Sequence, residues 1–249
     1  VIAGAKPPVS FFAYPEKASW LTPDGCDIIY AAHQHESSSI ALEALADMVG
    51  AKEKPENWTP LNTELPTESD PLDQFAAGKV IAHLLPERAI ICDEANTNGI
   101  GPALATATAA PHDWLSLMGG SIGQGLPLSV GAAIACPDRK TVCLHGDGGA
   151  MYTLQSLWTM ARENLDVTTV IFSNKSYAIL QIEFDRVGVG APGPKALSQL
   201  DLSHPELDWV KLSEGMGVQA ARVTSVAELQ SEFANAMKSK GPRLIEVIV

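Results

Sequence analysis

The sequence has few positive charges. It contains 17 Lys and Arg residues against 29 Asp and Glu residues, which gives a formal net charge of −12 and an isoelectric point near 4.8. Nucleic-acid-binding proteins neutralise phosphates with clustered Lys and Arg. Because no basic stripe is present, we predict no nucleic-acid partner. A small anionic ligand would have to be bound by backbone N–H groups or by a metal ion.

The sequence also lacks long hydrophobic runs and paired cysteines. No apolar run approaches the roughly 20 residues that a membrane-spanning helix requires, and the opening VIAGAKPPVSFF has no basic start or cleavage site. We predict a cytoplasmic protein without a membrane partner. The four cysteines show no CxxC spacing, so we expect reduced, mostly buried thiols rather than a disulfide framework.

What is present indicates a globular α/β protein. The composition is 46% hydrophobic and 18% charged. Predicted strands such as 141–145 and 167–173 are near-continuous apolar runs and alternate with helical segments, which is typical of a parallel sheet covered on both faces. The predicted fold is a doubly wound parallel sheet with helices on both faces.

The chain divides into three predicted regions. Residues 1–50 read as the tail of an α/β unit, with strands at 1–5 and 27–30 and a helix at 37–49. Residues 51–70 are rich in proline and charge, as an exposed linker is, and residues 71–249 form the main sheet domain. Because the chain opens at Val1 inside a predicted buried strand, we expect further sequence upstream.

Two loops follow neighbouring predicted strands. One reads Gly-Asp-Gly-Gly with Asp147 at its centre, and the other begins at Asn174 and continues to Ser176. Ligands in such sheets sit at the carboxyl ends of the strands. Asp147, the Asn174 amide oxygen and the Ser176 carbonyl suit Mg²⁺, which prefers oxygen ligands and commonly bridges to phosphates. These three residues are the predicted metal ligands.

These loops resemble the signature of thiamine diphosphate-dependent enzymes, and specifically the acetolactate synthase and benzoylformate decarboxylase group. The resemblance rests on GDGGAMYTLQSLWTMARENLDVTTVIFSNKSYAIL, on the upstream GGSIGQGLPLSVGAAIACPDRKTV, and on DWVKLSEGMGVQAARV and GPRLIEVIV. It implies the thiamine diphosphate-binding fold, with residues 1–50 as the C-terminal part of a middle domain and residues 71–249 as the diphosphate- and Mg²⁺-binding domain.

The resemblance also implies roles for individual residues. The bulky Ile122, beside Ser121, would wedge between the two cofactor rings and impose their bent arrangement. The remaining implied contacts to thiamine diphosphate are those of a polar pair, the two metal loops and the start of the next helix: Asn96, Thr97, Asp147, Gly148, Gly149, Asn174, Ser176, Tyr177, Ala178 and Ile179.

The sequence departs from the family pattern at several points. Ser173 stands where a second asparagine is usual, and Gly149 where a small polar residue is usual. Ala13 and Tyr14 occupy the region of a working histidine in benzoylformate-type decarboxylases. The activating glutamate belongs to a pyrimidine-binding domain that this chain lacks, so its catalytic residues are unknown. His112 is the one candidate within the chain.

The implied activity is decarboxylation of a small 2-oxo acid, with or without addition to a second carbonyl, by a homodimer or homotetramer assembled through that missing domain. Three alternatives remain: a benzoylformate decarboxylase-like enzyme, a catalytically incomplete cofactor-binding module, and a nucleotide binder of another α/β type. The bulk of Ile179 favours a small aliphatic donor such as pyruvate.

Overall fold

The computed structural model describes residues 1–10, 13–54, 60–61, 64–188, 190 and 192–249. The chain divides into two compact units, one formed by Val1–Thr59 with Asp185–Gly190 and the other by Pro60–Phe184 with Ala191–Val249. The predicted linker at 51–70 falls partly outside the described residues, and its role stays a prediction.

The smaller unit contains two short parallel strands and a helix. Strand β1 (Ile2–Ala3) pairs with β2 (Tyr30–Ala32), and α1 (Ser38–Met48) begins where the Ser37 hydroxyl accepts a hydrogen bond from the Ile40 N–H. The predicted strands at 1–5 and 27–30 are wrong in extent. The first is also not buried, because β1 has a single neighbouring strand among the described residues and Val1 is 83% exposed.

The larger unit alternates strands and helices. Its strands are β3 (Ile90–Glu94), β4 (Asp113–Ser116), β5 (Thr141–Gly146), β6 (Val167–Ser173), β7 (Gln219–Val223) and β8 (Arg243–Ile248). A 3₁₀ turn at Asn96–Gly99 follows β3, and the helices are α2 (Gln74–Leu84), α3 (Ile100–Thr106), α4 (Gly125–Ala135), α5 (Asp147–Ala150), α6 (Ser156–Arg162), α7 (Ala178–Arg186), α8 (Pro194–Ser198), α9 (Trp209–Gly215) and α10 (Val226–Lys238).

The sheet has six strands in the order β4-β3-β5-β6-β8-β7, and every neighbouring pair is parallel. Successive side chains along each strand face opposite layers of helices. Val142 and Leu144 pack in one buried cluster with residues of α2 and α10, whereas Cys143 packs in a second cluster with residues of α4, α6 and α9. The predicted doubly wound parallel sheet is confirmed.

Three elements of the larger unit were not predicted from the sequence. Strand β4 reads DWLS and is mostly exposed, because it is an edge strand and carries no apolar run. Helix α5 begins inside the GDGG loop itself, and α8 is a single short turn that starts at Pro194. Short elements like these have too few residues to display a period.

Within the described residues, no helix is both long and apolar enough to cross a bilayer. All four cysteines are free: Cys92 and Cys143 are buried, Cys26 is exposed and Cys136 is intermediate.

A lysine at the amino-terminal end of the sheet supports the packing of α10. Lys140 Nζ lies 2.5 Å from Asp166 Oδ1 and donates to the carbonyls of Ala236 and Ser239 at 3.0 and 2.7 Å. Its side chain is 8% exposed. Replacing Lys140 with Gln is expected to lower the free energy of unfolding by about 2 kcal/mol, because Asp166 loses a nearly buried partner.

Denaturant unfolding followed by circular dichroism measures this change, and Lys238→Gln on the exposed last turn of α10 is the control. The control is expected to remain within about 0.5 kcal/mol of the unchanged protein. Equal midpoints for the two variants would contradict the assigned role of Lys140.

Candidate functional site

Three neighbouring strands end at one cleft. Strands β3, β5 and β6 lie side by side and parallel, so their carboxyl ends meet at one edge of the sheet. A small cleft lies there. Ten residues predicted from the sequence line it, together with Ala95, Asn98 and Gly146: Asn96, Thr97, Asp147, Gly148, Gly149, Asn174, Ser176, Tyr177, Ala178 and Ile179.

A larger groove lies beside the first residues of β7 and β8. Its charged lining residues are Glu214, Glu232 and Arg243. It is at the amino-terminal ends of these strands, whereas ligands of doubly wound sheets bind at the carboxyl ends. Size alone therefore does not identify the site, and the chemistry favours the smaller cleft.

Asp147 is the buried carboxylate of the cleft. It is 3% exposed, and its oxygens accept the Gly148 N–H at 2.9 Å and the Lys175 N–H at 2.7 Å. Burial raises the pKa of Asp147 above its usual value, although these backbone hydrogen bonds oppose the shift. The bond to Lys175 ties the loop after β5 to the loop after β6. A cation at this position would offset the cost of burying the charge.

The second predicted metal loop, residues 174–176, is a tight turn held by a later segment. Lys175 has a φ of +55°, and Asn174 Oδ1 accepts the Ser176 N–H at 3.0 Å. The Tyr177 N–H donates to the Leu200 carbonyl at 2.9 Å, and the Ser176 hydroxyl donates to the same carbonyl at 3.2 Å. These bonds leave the turn little freedom and hold Asn174 and Ser176 beside Asp147 in the lining of the cleft.

The predicted ligand set contains one carboxylate, one amide oxygen and one backbone carbonyl. Among the residues that the structure describes, no group of three or more His, Cys, Asp or Glu side chains is arranged to hold a metal ion. A Zn²⁺-type site is thus not found in that part of the chain. A hard cation such as Mg²⁺ needs only one or two carboxylates when phosphates and water supply the rest.

The space beside Gly148 and Gly149 is already occupied by neighbouring side chains. A Cβ added at Gly148 would overlap Tyr177 Cε1 and lie 2.7 Å from Cδ1 of the same ring. The Gly148 N–H is already engaged by Asp147, so it must change partner before it can donate to a phosphate. Burial raises the pKa of the Tyr177 phenol, which keeps it a neutral hydrogen-bonding group.

The polar pair after β3 lies on the opposite wall. Asn96 has a φ of +51°, and its Nδ2 donates to the Glu94 carbonyl at 3.3 Å. Asn tolerates this left-handed conformation better than most residues. Thr97 follows in the 3₁₀ turn, and both residues line the cleft. Their predicted phosphate contacts stay predictions.

Ser121 and Ile122 do not line the cleft. They lie in the loop that precedes α4, and Ile122 is 39% exposed. The sequence analysis missed the side chain that holds this loop, which is Glu94: its two carboxylate oxygens accept the N–H groups of Gly123 and Gly125. The available signal in the sequence was an acidic residue directly after the predicted apolar strand 89–93.

His112 is separated from the cleft. It directly precedes β4, whose first residue pairs with the first residue of β3, so it lies at the amino-terminal end of the sheet. Its Nδ1 is 2.8 Å from the Ala110 carbonyl, and its ring packs edge-on against Trp114. The prediction of His112 as a catalytic candidate has no support from this geometry, because the cleft is at the opposite edge.

Three comparisons with known proteins identify the family of this chain. Residues 99–247 match the family model "Thiamine pyrophosphate enzyme, C-terminal TPP binding domain". The chain is 51% identical to "Putative acetolactate synthase large subunit IlvX" of Mycobacterium tuberculosis, over 100% of this chain and 48% of that protein. It is 28% identical to the acetolactate synthase isozyme 1 large subunit of Escherichia coli, over 74% of this chain and 32% of that one.

The solved structure of the thiamine diphosphate-dependent 4-hydroxybenzoylformate decarboxylase of Rhodococcus jostii RHA1 superposes with a TM-score of 0.71 and 28% identity. It covers 88% of this chain, which in turn covers 40% of that structure. The chain thus spans less than half the length of the relatives it matches. With the family model matching more than half of its residues, the chain belongs to the thiamine pyrophosphate enzyme family and carries that family's C-terminal cofactor-binding domain.

Proposed function

We propose that this chain is the cofactor-binding part of a thiamine diphosphate- and Mg²⁺-dependent enzyme that acts on small 2-oxo acids, with acetolactate synthase-like decarboxylation and carboligation. The observation that carries the proposal is the cleft at the ends of β3, β5 and β6. There the buried Asp147 is brought together with Asn174 and Ser176.

The residues present fit a metal-bound diphosphate. Asp147 is a buried carboxylate whose oxygens accept the backbone N–H groups of Gly148 and Lys175. Within the described residues, no cationic side chain is hydrogen-bonded to these oxygens. Asn174 and Ser176 add uncharged oxygens, as Mg²⁺ requires when phosphates complete its shell. In an acidic protein a metal ion is also the simplest means of attracting a diphosphate. Asp147, Asn174 and the Ser176 carbonyl would hold the ion, and Asn96, Thr97 and Gly149 would border the phosphates.

Thiamine diphosphate, when bound, supplies the electron sink that loss of CO₂ from a 2-oxo acid requires. The side chains of this unit hold and orient it. The loop carrying Ile122 would support the bend between its rings, and Tyr177, Ala178 and Ile179 at the start of α7 would border the substrate. The half-buried Ile179 occupies space that an aryl substrate would need, which supports pyruvate as the donor.

The rest of the assembly is part of the proposal. Residues 1–50 would be the end of a middle domain. The glutamate that activates the cofactor would come from a pyrimidine-binding domain, so that a homodimer or homotetramer is the active form. A cytoplasmic location stays a prediction. The second candidate function is a benzoylformate decarboxylase-like enzyme, favoured by the superposition on the Rhodococcus decarboxylase. Turnover of benzoylformate in preference to pyruvate would select it.

Calorimetric titration of thiamine diphosphate into the protein tests the site. Binding is expected with Mg²⁺ and is expected to weaken at least about 100-fold when the metal is removed with chelator, because the phosphates then face the Asp147 carboxylate directly. Thiamine, which lacks the diphosphate, is the matched ligand control. Equal affinity for thiamine and thiamine diphosphate, or an affinity unchanged by chelator, would contradict the proposed site.

A further inference from the structure

A carboxylate and an imidazole are buried beneath the glycine-rich loop. Glu94 is the last residue of β3, and His145 is its register partner on β5. Neither side chain is exposed, and Glu94 Oε2 lies 3.2 Å from His145 Nε2 at an angle outside the range of an aligned hydrogen bond. A buried charge is costly unless it is paired and hydrogen-bonded. This pair therefore needs a structural explanation.

The carboxylate holds the loop by its backbone. Glu94 Oε1 accepts the Gly123 N–H and Oε2 accepts the Gly125 N–H, each at 2.5 Å. The Thr153 hydroxyl donates to the Gly123 carbonyl at 2.7 Å. Gly123 also has a φ of +93°, a conformation that residues with a side chain rarely adopt. Because both polar groups of Gly123 are engaged, the direction of the preceding residue, Ile122, is set.

The carboxylate stays in the form that accepts both bonds. Burial raises the pKa of Glu94, but the adjacent His145 imidazole and the N–H groups of Gly123 and Gly125 outweigh it, so the net pKa lies below its usual value. An ionised carboxylate is an acceptor at both oxygens, whereas a protonated carboxyl or an amide would present a donor to one of the two N–H groups.

The pair also determines which residues fit around it. A Cβ added at Gly149 would lie 3.1 Å from Glu94 Oε1 and 3.1 Å from His145 Cε1. A Cβ added at Gly125 would lie 2.9 Å from His145 Cδ2 and 3.0 Å from Glu94 Cβ. These distances are tighter than most Cβ contacts, so the carboxylate or the imidazole would have to shift by a few tenths of an ångström. The imidazole and carboxylate therefore occupy the space that side chains at Gly125 and Gly149 would need.

We infer that Glu94 and His145 are positioning residues that set the backbone of the 119–125 loop and the direction of Ile122, and that residue 149 is glycine because this pair fills the space beside it. The inference depends on the proposed function only for what Ile122 contacts. It accounts for glycine at a position where the family resemblance leads us to expect a small polar side chain.

The loop bonds are tested without any ligand by NMR of the ¹⁵N-glycine-labelled chain. In Glu94→Gln, at least one of the Gly123 and Gly125 amide protons is expected to shift upfield and to exchange with solvent at least about ten-fold faster, because it loses its acceptor. Gly131 in α4, with no atom near its Cβ position, is the internal control and is expected to keep its shift and exchange rate. Unchanged Gly123 and Gly125 amides in Glu94→Gln would overturn the inference.

The inference that the pair fills the space beside Gly149 is tested by a double-mutant cycle in which Glu94 is left unchanged. Gly149→Ala is expected to speed exchange of the Gly123 amide and to raise the Kd for thiamine diphosphate roughly ten-fold. In a His145→Val background, where the ring is absent and only the contact with Glu94 Oε1 remains, the same substitution is expected to have a smaller effect on both. A Gly149→Ala effect of equal size in both backgrounds would overturn the relation, whatever its cause.

The two proposals fail separately. If the glycine amides respond as expected but no variant, including the unchanged protein, binds thiamine diphosphate, the proposed function fails and the positioning pair stands. If Mg²⁺-dependent binding is strong in the unchanged protein but the Gly123 and Gly125 amides are unchanged in Glu94→Gln, the positioning pair fails and the cofactor site stands.

Discussion

Asp147→Asn is expected to abolish Mg²⁺-dependent binding of thiamine diphosphate, raising its Kd by at least about 100-fold. The substitution keeps the shape of the side chain and removes its charge, so it removes the one anionic ligand in the predicted set. In the unchanged protein the N–H groups of Gly148 and Lys175 donate to the two carboxylate oxygens at 2.9 and 2.7 Å. In the variant the amide NH₂ would face one of these two N–H groups. The measurement is calorimetric titration with Mg²⁺ present.

The matched control is Asp138→Asn, the same chemical change on an exposed side chain that pairs with Arg88 on the surface. It is expected to bind thiamine diphosphate as the unchanged protein does. Thermal melts of both variants establish that they are folded. A folded Asp147→Asn protein that retains Mg²⁺-dependent binding within two- or three-fold would exclude Asp147 as a metal ligand.

Gly101→Ala is expected to destabilise the fold by about 2–3 kcal/mol, although alanine favours helix over glycine by up to about 1 kcal/mol. Helices α2 and α3 cross with backbone against backbone. A Cβ at Gly101 would overlap the Gln74 carbonyl oxygen and lie 2.5 Å from its carbon, and a Cβ at Gly78 would lie 2.6 Å from the Gly101 carbonyl. Backbone atoms cannot move aside as a flexible side chain can, so the helices must separate. The free energy of unfolding measured in denaturant reports the change.

Gly131→Ala in α4 is the control, since no atom lies within 4 Å of its Cβ position. It is expected to be neutral or to stabilise by up to about 1 kcal/mol through helix propensity. The two variants therefore carry the same substitution with opposite expected signs. A stabilised Gly101→Ala protein would mean that the crossing of α2 and α3 is looser than described.

The sequence predicted most of the larger unit because its signals are local. Buried parallel strands such as β5 and β6 are apolar runs, and the amphipathic helices between them have clear ends, such as the Ser225 hydroxyl that accepts from the Glu228 N–H at the start of α10. Strand β4 was missed because its strand character comes from pairing with β3 rather than from its own residues. The strand predicted at 1–5 was too long, and the one predicted at 27–30 lies instead at Tyr30–Ala32, because the two strands pair at only two positions.

The cleft was predicted for a different reason. Consecutive β–loop–helix units place their loops at one edge of a parallel sheet, so Asp147 and Asn174 could be brought together from the order of the chain alone. His112 shows where that reasoning stops. It is close in sequence to the 119–125 loop, but β4 lies between them in the chain. His112 is therefore at the amino-terminal end of the strands, whereas the loop follows the carboxyl end of β4.

The sequence by itself determined the layered parallel sheet, the two oxygen-rich loops at its carboxyl edge, and the thiamine diphosphate family to which they belong, because each is written in short motifs and in the period of apolar residues. Only the tertiary structure decided that Glu94 and His145 are partners, that Gly101 touches Gln74, and that His112 lies far from the cleft. Those relations join residues distant in sequence, and they depend on strand order and interhelical distance, which no local pattern specifies.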